Sequence, residues 1–93
     1  MIKPSILVVD DEPHSRFGIC QILTDEGFNA IPAENGKEAL ERIKTDFVNI
    51  IITDEKMPDL SGMELLSEVK RVDQQIPVII ITAYGSVSMA VEA

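Results

Sequence analysis

The chain has 93 residues, of which 45% are hydrophobic, and a formal net charge of −8 from 8 basic and 16 acidic side chains. This length suits one small domain, and the acidic balance argues against non-specific nucleic-acid binding and against an anionic membrane surface as partner. A single cysteine, Cys20, excludes an internal disulfide, and with one histidine it does not make a zinc site. No apolar run reaches the ~18 residues of a membrane-spanning helix and no signal-peptide pattern is present, so we expect a soluble cytoplasmic protein.

Four short apolar runs alternate with helical patterns along the chain. They are rich in β-branched residues and predict buried strands of a parallel sheet at 5–9, 28–32, 48–53 and 76–82. Strands that alternate with helices through short connections form right-handed βαβ units. The predicted class is therefore α/β with a parallel sheet.

The first helix is predicted after the first strand. Pro13 suits a first helical turn, Asp11 is the expected N-cap, and Gly27 is the expected end of the helix. Cys20 lies within the helical apolar pattern and is expected to be a buried structural thiol. The apolar face of this helix is predicted to consist of Ile19, Ile22 and Leu23.

Two further helices and the start of another follow. The second helix is expected to begin at Asn35-Gly36, because the residues after this pair keep a helical period rather than that of a hairpin. The third begins at Ser61, where a Ser-x-x-Glu capping box extends to Glu64. A fourth helix is predicted to begin within 85–93.

Carboxylates follow two of the predicted strands directly. Asp10 and Asp11 follow the first strand, and Asp54 follows the third. If these strands are neighbours, their carboxyl ends meet at the switch point where open α/β sheets bind ligands. Like charges so close repel, so a hard cation such as Mg²⁺ is expected among them, and without it at least one carboxylate should have a raised pKa. Helix capping alone would explain the Asp10-Asp11 pair but not the third carboxylate.

Three motifs in order resemble the receiver domain of bacterial two-component response regulators. They are Leu7-Val8-Val9-Asp10-Asp11-Glu12, Asp54-Glu55-Lys56-Met57-Pro58-Asp59-Leu60-Ser61-Gly62 and Ile80-Ile81-Thr82-Ala83-Tyr84-Gly85. The resemblance runs over the whole chain. It implies a flavodoxin-like (CheY-like) parallel sheet, here incomplete, with four strands in the order 2-1-3-4, three helices and the start of a fourth.

The resemblance also implies a role for each site residue. Asp54 would accept a phosphoryl group from a sensor histidine kinase, and Thr82 would hydrogen-bond the phosphoryl oxygen. Asp11 and Asp54 would bind Mg²⁺ through their side chains, Lys56 through its backbone carbonyl, and Asp10 through water. The protein would be a phosphoacceptor signalling module and not an enzyme, at most phosphorylating itself from small phosphodonors.

The end of the chain both refines and departs from this resemblance. Residues 85–93 are similar to the nitrogen-regulation branch, whose receivers precede an ATPase domain and a DNA-binding domain in transcriptional activators. A complete receiver has roughly 120 residues, so 1–93 is expected to be a single receiver domain truncated before its fifth strand, its fifth helix and a phosphoryl-binding lysine. Lys56 and Lys70 are expected to be surface lysines that do not replace it.

The missing segment has an expected consequence for association. It would leave the apolar edge of the fourth strand open, and open strand edges pair with other chains. We therefore expect a homodimer or higher oligomer through this edge and the fourth helix, with no nucleic-acid contact by the segment itself.

Two functions of other classes stay open. One is a signalling-incompetent fragment that acts only as an oligomerising or interaction module. The other is a hydrolase of the haloacid-dehalogenase type, but that family places a second Asp where position 12 is Glu. Of the remaining polar and aromatic residues, His14 is expected on the surface, Asp59 in a solvated loop, and Tyr84 partly exposed.

Overall fold

A computed structural model describes residues 3–82 and the backbone of 87–90. In chain order the elements are β1 (Ser5–Val9), α1 (Pro13–Asp25), β2 (Asn29–Ala33), α2 (Gly36–Thr45), β3 (Ile50–Asp54), α3 (Gly62–Val72), β4 (Val78–Ile81) and β5 (Val87–Ala90). The sheet order is β2-β1-β3-β4-β5, and the first four strands are parallel. The predicted parallel sheet of order 2-1-3-4 with three helices is therefore confirmed.

The main core lies between one face of the sheet and helices α2 and α3. Leu7, Ile51 and Leu65 are completely buried there, from β1, β3 and α3 respectively. Full burial of such a side chain stabilises the fold by about 1.5–3 kcal/mol. This core holds β1 and β3 side by side, with Val9 opposite Thr53 at the end of the pair.

Helix α1 contributes less to the core than its sequence predicts. None of its residues is fully buried, Ile22 is 64% exposed and Phe17 is 76% exposed, so the predicted apolar face is only partly buried. Cys20 is likewise only partly buried, which corrects the expected buried thiol. The helix contacts the sheet mainly along β1 and β2, and the side of the helix that points away from these strands stays accessible.

The helix starts follow local chemistry, with one correction. Glu12, not Asp11, is the N-cap of α1, and its carboxylate accepts hydrogen bonds from the backbone N–H groups of His14 (3.1 Å) and Ser15 (2.7 Å). Because Pro13 is the first helical residue, the cap position falls one residue after Asp11. These N–H donors lower the pKa of Glu12. The side chain of Asp11 does not cap the helix.

The other two helix starts agree with prediction. Asn35 caps α2 by accepting a hydrogen bond from the backbone N–H of Glu38 at 2.8 Å. Ser61 and Glu64 form both hydrogen bonds of the capping box at the start of α3. None of the helices in the described residues is long and apolar enough to cross a bilayer.

The predicted start of a fourth helix is wrong for 87–90. This segment forms β5, which pairs antiparallel with β4 so that Val87 lies opposite Ile81 and Ala90 opposite Val78. The unpaired N–H and C=O groups of the β4 edge gain hydrogen bonds this way. The edge of β4 is consequently covered by β5 and not open. Tyr84, with the rest of 83–86 and 91–93, lies outside the described residues.

Candidate functional site

The three carboxylates singled out in the sequence come together at one edge of the sheet. Asp10 and Asp11 follow β1, Asp54 ends β3, and one carboxylate oxygen of each lies within 4.8 Å of the others. The juxtaposition follows from topology, because adjacent parallel strands bring their carboxyl ends to the same edge. The predicted acidic cluster is thus present.

Asp10 is the most deeply placed and most firmly held member of the cluster. Only 6% of it is exposed, and its N–H donates to the carbonyl oxygen of Ala33 at 3.1 Å. Its side-chain Oδ1 accepts from the N–H of Glu12 at 3.0 Å, and its carbonyl oxygen accepts from Arg16 Nη1 at 2.7 Å. The loop between β1 and α1 is therefore fixed from three directions, while Asp11 on the same loop stays exposed.

Asp54 is half-buried and electrostatically disfavoured as an anion. Burial raises the pKa of its carboxyl group, and the neighbouring charges of Asp10 and Asp11 raise it further. The N–H of Glu55, which donates to Asp54 Oδ1 at 2.9 Å, offsets part of this. The direction agrees with the expectation that at least one of the three carboxyl groups has a raised pKa without a cation.

The cluster borders a cleft of about 330 Å³, and residues from both the acidic cluster and the predicted switch position, Thr82, contribute to its wall. Asp10, Asp54 and Thr82 supply polar groups to its wall, and Ile52 and Ile81 supply apolar ones. Lys56 lies two residues after Asp54 with an exposed side chain. A larger and more open cleft of about 570 Å³ lies beside α2, but its wall contains none of the clustered aspartates.

The donor set suits a small divalent cation. All three groups are carboxylates, the hard oxygen ligands that Mg²⁺ prefers. Opposite ligands of an octahedral Mg²⁺ stand ~4.2 Å apart, and the oxygens here already lie within 4.8 Å of one another. A cation would also relieve the repulsion that raises the pKa of Asp54.

The loop that follows Asp54 is closed at its base by backbone contacts. The N–H of Gly62 donates to the carbonyl oxygen of Glu55 at 2.8 Å, and the N–H of Met63 donates to Glu55 Oε1 at 3.0 Å. A Cβ atom on Gly62 would lie 2.8 Å from the carbonyl oxygen of Asp54. Only glycine allows the start of α3 to approach the end of β3 so closely.

Asp59, expected as a solvated loop residue, has a structural task that the sequence did not reveal. Its carboxylate accepts hydrogen bonds from the N–H groups of Gly36 (3.1 Å), Lys37 (2.8 Å) and Leu60 (2.7 Å). Burial alone would raise the pKa of Asp59, but these donors together lower it. No local motif marks this contact, because Gly36 and Lys37 lie 23 and 22 residues before Asp59.

Two smaller predictions have opposite outcomes. His14 is a surface residue as expected, with its side chain 99% exposed. Lys70 is not simply solvated: its Nζ donates to the carbonyl oxygens of Gln74 (3.2 Å) and Ile76 (2.7 Å) and so links the end of α3 to the segment before β4.

The family follows from a comparison with known proteins. The sequence profile described as the response regulator receiver domain matches residues 6–93. The chain belongs to the response regulator receiver domain family. Receiver domains are phosphoacceptor signalling domains rather than classical enzymes, and they bind Mg²⁺ at an acidic pocket such as the one present here.

Sequence relatives of this receiver include transcriptional regulators. Transcriptional regulatory protein GlrR of Escherichia coli (strain K12) is 39% identical over 92 residues, which are 98% of this chain and 21% of that protein. Sporulation initiation phosphotransferase F of Bacillus subtilis is 34% identical over 93 residues, 100% of this chain and 75% of that protein. The receiver thus spans about a fifth of the length of GlrR. Such relatives agree with the nitrogen-regulation-like branch predicted from 85–93.

Solved structures give the same assignment. Response regulator protein TrrA of Thermotoga maritima, in complex with Mg²⁺-BeF, is 38% identical with a TM-score of 0.82, over 87% of this chain and 70% of that chain. A second structure contains histidine kinase ThkA in complex with TrrA, and its match covers 89% of this chain and 72% of that one at 37% identity and a TM-score of 0.82.

Proposed function

We propose that this receiver accepts a phosphoryl group on Asp54 from a sensor histidine kinase in a Mg²⁺-dependent reaction. The observation that carries the proposal is the convergence of Asp10, Asp11 and Asp54 within 4.8 Å beside an open cleft. A lone strand-end carboxylate would suit many roles, but three together suit a bound cation and an incoming phosphoryl group. The relative solved with Mg²⁺-BeF supports the same reading.

Asp54 is the nucleophile in this proposal. One of its carboxylate oxygens forms a bond to phosphorus while the bond between phosphorus and the imidazole nitrogen of the kinase histidine breaks, which gives an acyl phosphate. Thr82, on the wall of the same cleft, donates a hydrogen bond to a phosphoryl oxygen.

The remaining site residues would hold the ion that neutralises the charge of the pocket. Asp11 and Asp54 would hold Mg²⁺ through carboxylate oxygens, Lys56 through its carbonyl oxygen, and Asp10 through water. The bound ion supplies positive charge that offsets both the carboxylates and the incoming phosphoryl oxygens. The hydrogen bonds that hold Asp10 keep its carboxylate directed at the cluster.

The wider setting is also part of the proposal. Residues 1–93 act as one receiver unit in the cytoplasm. This unit is part of a transcriptional regulator, because the relatives include GlrR, ZraR and DctD. Formation of a homodimer or higher oligomer stays a prediction, but the expected route through an open β4 edge and a fourth helix is wrong for 87–90, because β5 covers that edge. Light scattering at high protein concentration tests it, and a monomer would contradict it.

Beryllofluoride binding tests the site directly. We expect wild-type protein to show amide shifts around Asp54 and Thr82 on addition of beryllofluoride, only when Mg²⁺ is present. Asp54→Asn should abolish these shifts. Asp25→Asn is the matched control, because Asp25 is an exposed acid at the far end of α1, bonded to Gln21. Equal shifts in wild type and Asp54→Asn would contradict the proposal.

The second candidate is an interaction module with an inert pocket. Its supporting observation is the partly exposed apolar side of α1, where Phe17 and Ile22 are accessible. Failure of the wild type to respond to Mg²⁺ with beryllofluoride would favour this candidate.

A further inference from the structure

We propose that Asp59 is a positioning residue, which fastens the loop after Asp54 to the start of α2 and thereby holds the Mg²⁺-binding geometry of that loop. The inference rests on the proposed function, since it concerns the same pocket. It adds a residue that lies outside the acidic cluster.

The contact is a carboxylate shared between two elements. Asp59 Oδ1 accepts from the N–H of Gly36, and Oδ2 accepts from the N–H of Lys37. These are the first two residues of α2, whose N–H groups have no partner within the helix. The side chain of Asn35 accepts only from the N–H of Glu38. Asp59, from a different loop, therefore supplies the acceptors for the first two N–H groups of α2.

Apolar packing strengthens the same contact. A Cβ atom placed on Gly36 would lie 2.7 Å from Leu60 Cδ1 and 2.9 Å from Leu60 Cβ. Leu60 therefore packs directly against Gly36, the residue whose N–H donates to Asp59. The N–H of Leu60 also donates to Asp59 Oδ1 at 2.7 Å, which orients the carboxylate.

The loop is consequently held at two places. Its base is closed by the hydrogen bond from Gly62 to Glu55, and its tip is fastened to α2 by Asp59. Lys56, whose carbonyl is the proposed ligand, lies between these points. Met57, also between them, packs against the core, which further restrains the segment that carries Lys56.

The electrostatics of the helix start favour a carboxylate over a neutral acceptor at position 59. The start of a helix carries partial positive charge, and a negative side chain there is stabilised by the N–H donors. The lowered pKa of Asp59 agrees with this. Groups that orient metal ligands from outside the first coordination shell typically contribute ~10–100-fold to metal affinity.

The test compares two caps of the same helix. Asp59→Ala removes the side-chain hydrogen bonds between the loop and α2, whereas Asn35→Ala removes a cap of α2 but leaves those hydrogen bonds in place. Mg²⁺ affinity is measured by titration of the Glu55 and Lys56 amide signals, and urea unfolding of each variant gives its stability. Asp59→Asn keeps one acceptor oxygen and serves as the conservative variant.

We expect Asp59→Ala to weaken Mg²⁺ binding about tenfold, Asn35→Ala to stay near wild type at similar loss of stability, and Asp59→Asn to fall between wild type and Asp59→Ala. Equal Mg²⁺ affinity in Asp59→Ala and wild type would overturn the inference, as would equal losses in Asp59→Ala and Asn35→Ala. If Asp59→Ala does not fold, Asp59→Asn decides in its place by the same comparison. Wild type that binds no Mg²⁺ would instead refute the proposed function.

Discussion

Gly62 offers a quantitative test of how tightly the end of β3 and the start of α3 are packed. Alanine at this position would place its Cβ 2.8 Å from the carbonyl oxygen of Asp54 and 3.1 Å from the Cα of Glu55. Both atoms belong to the backbone, so neither can rotate away as a side chain could. Relief requires a shift of the segment that carries the clustered carboxylate.

The expected cost follows from comparison with a second glycine. Overpacking of this kind typically destabilises by about 1–3 kcal/mol, against which the gain from replacing glycine by alanine in a helix is about 0.5–1 kcal/mol. Gly18 lies in α1, is exposed, and has no heavy atom within 4 Å of a built Cβ. Gly18→Ala should therefore show the gain alone, so the two variants should differ by about 2 kcal/mol.

Urea unfolding of both variants at neutral pH measures this difference, with unchanged denaturant slopes as the sign that two-state unfolding holds. We expect Gly62→Ala to be less stable than wild type and Gly18→Ala to be slightly more stable. Gly62→Ala should also bind Mg²⁺ more weakly. If Gly62→Ala proves as stable as Gly18→Ala, the close approach of the two elements is not a real constraint and the reasoning fails.

Three further predictions concern the core and two carboxylates. Leu65→Ala should destabilise by about 2–5 kcal/mol because Leu65 is completely buried, while Met63→Ala, at a residue 52% exposed, should cost far less; similar urea midpoints would contradict the core assignment. In Mg²⁺-free protein the pKa of Asp54 should exceed its ordinary value, because burial and its acidic neighbours disfavour the anion. A carboxyl group with a raised pKa loses its favourable contribution as pH rises through that pKa, so Asp54→Asn should be more stable than wild type at neutral pH; an ordinary pKa in a carbon-detected NMR titration would refute this. The pKa of Asp59 is shifted in the opposite direction, downward. Its contribution to folding stability is therefore complete above the unfolded-state pKa of ~3.9 and is lost as pH falls through the folded-state pKa. The stability advantage of wild type over Asp59→Asn should thus shrink in acid, and an advantage independent of pH would contradict the role of the charge.

The features that the sequence predicted well depend on local pattern or on a simple rule of topology. The β-branched run 50–52 forms a strand with alternating buried and partly buried residues, and Ser61 with Glu64 caps a helix through contacts three residues apart. The acidic cluster was predictable because parallel neighbours place their carboxyl ends together, so Asp10 and Asp54 had to approach once β1 and β3 were adjacent.

The features that were missed depend on contacts made outside the segment in two cases and on the exact cap position in a third. The segment 87–90 has a helical pattern, yet an available strand edge on β4 gives it backbone hydrogen bonds that its own sequence does not indicate. Asp59 looked like a solvated loop residue because its partners in α2 are more than twenty residues away. The N-cap was predicted at Asp11 but is Glu12. This was a local error, because α1 begins at Pro13 and the cap is the residue directly before it.

Incubation with Mg²⁺ and acetyl phosphate, followed by intact-mass measurement, tests whether Asp54 is the phosphoacceptor. We expect wild type to gain the mass of one phosphoryl group only when Mg²⁺ is present, Asp54→Asn to show no gain, and Asp25→Asn to retain it. No gain in wild type, or an equal gain in Asp54→Asn, would contradict the assignment of Asp54 as the phosphoacceptor.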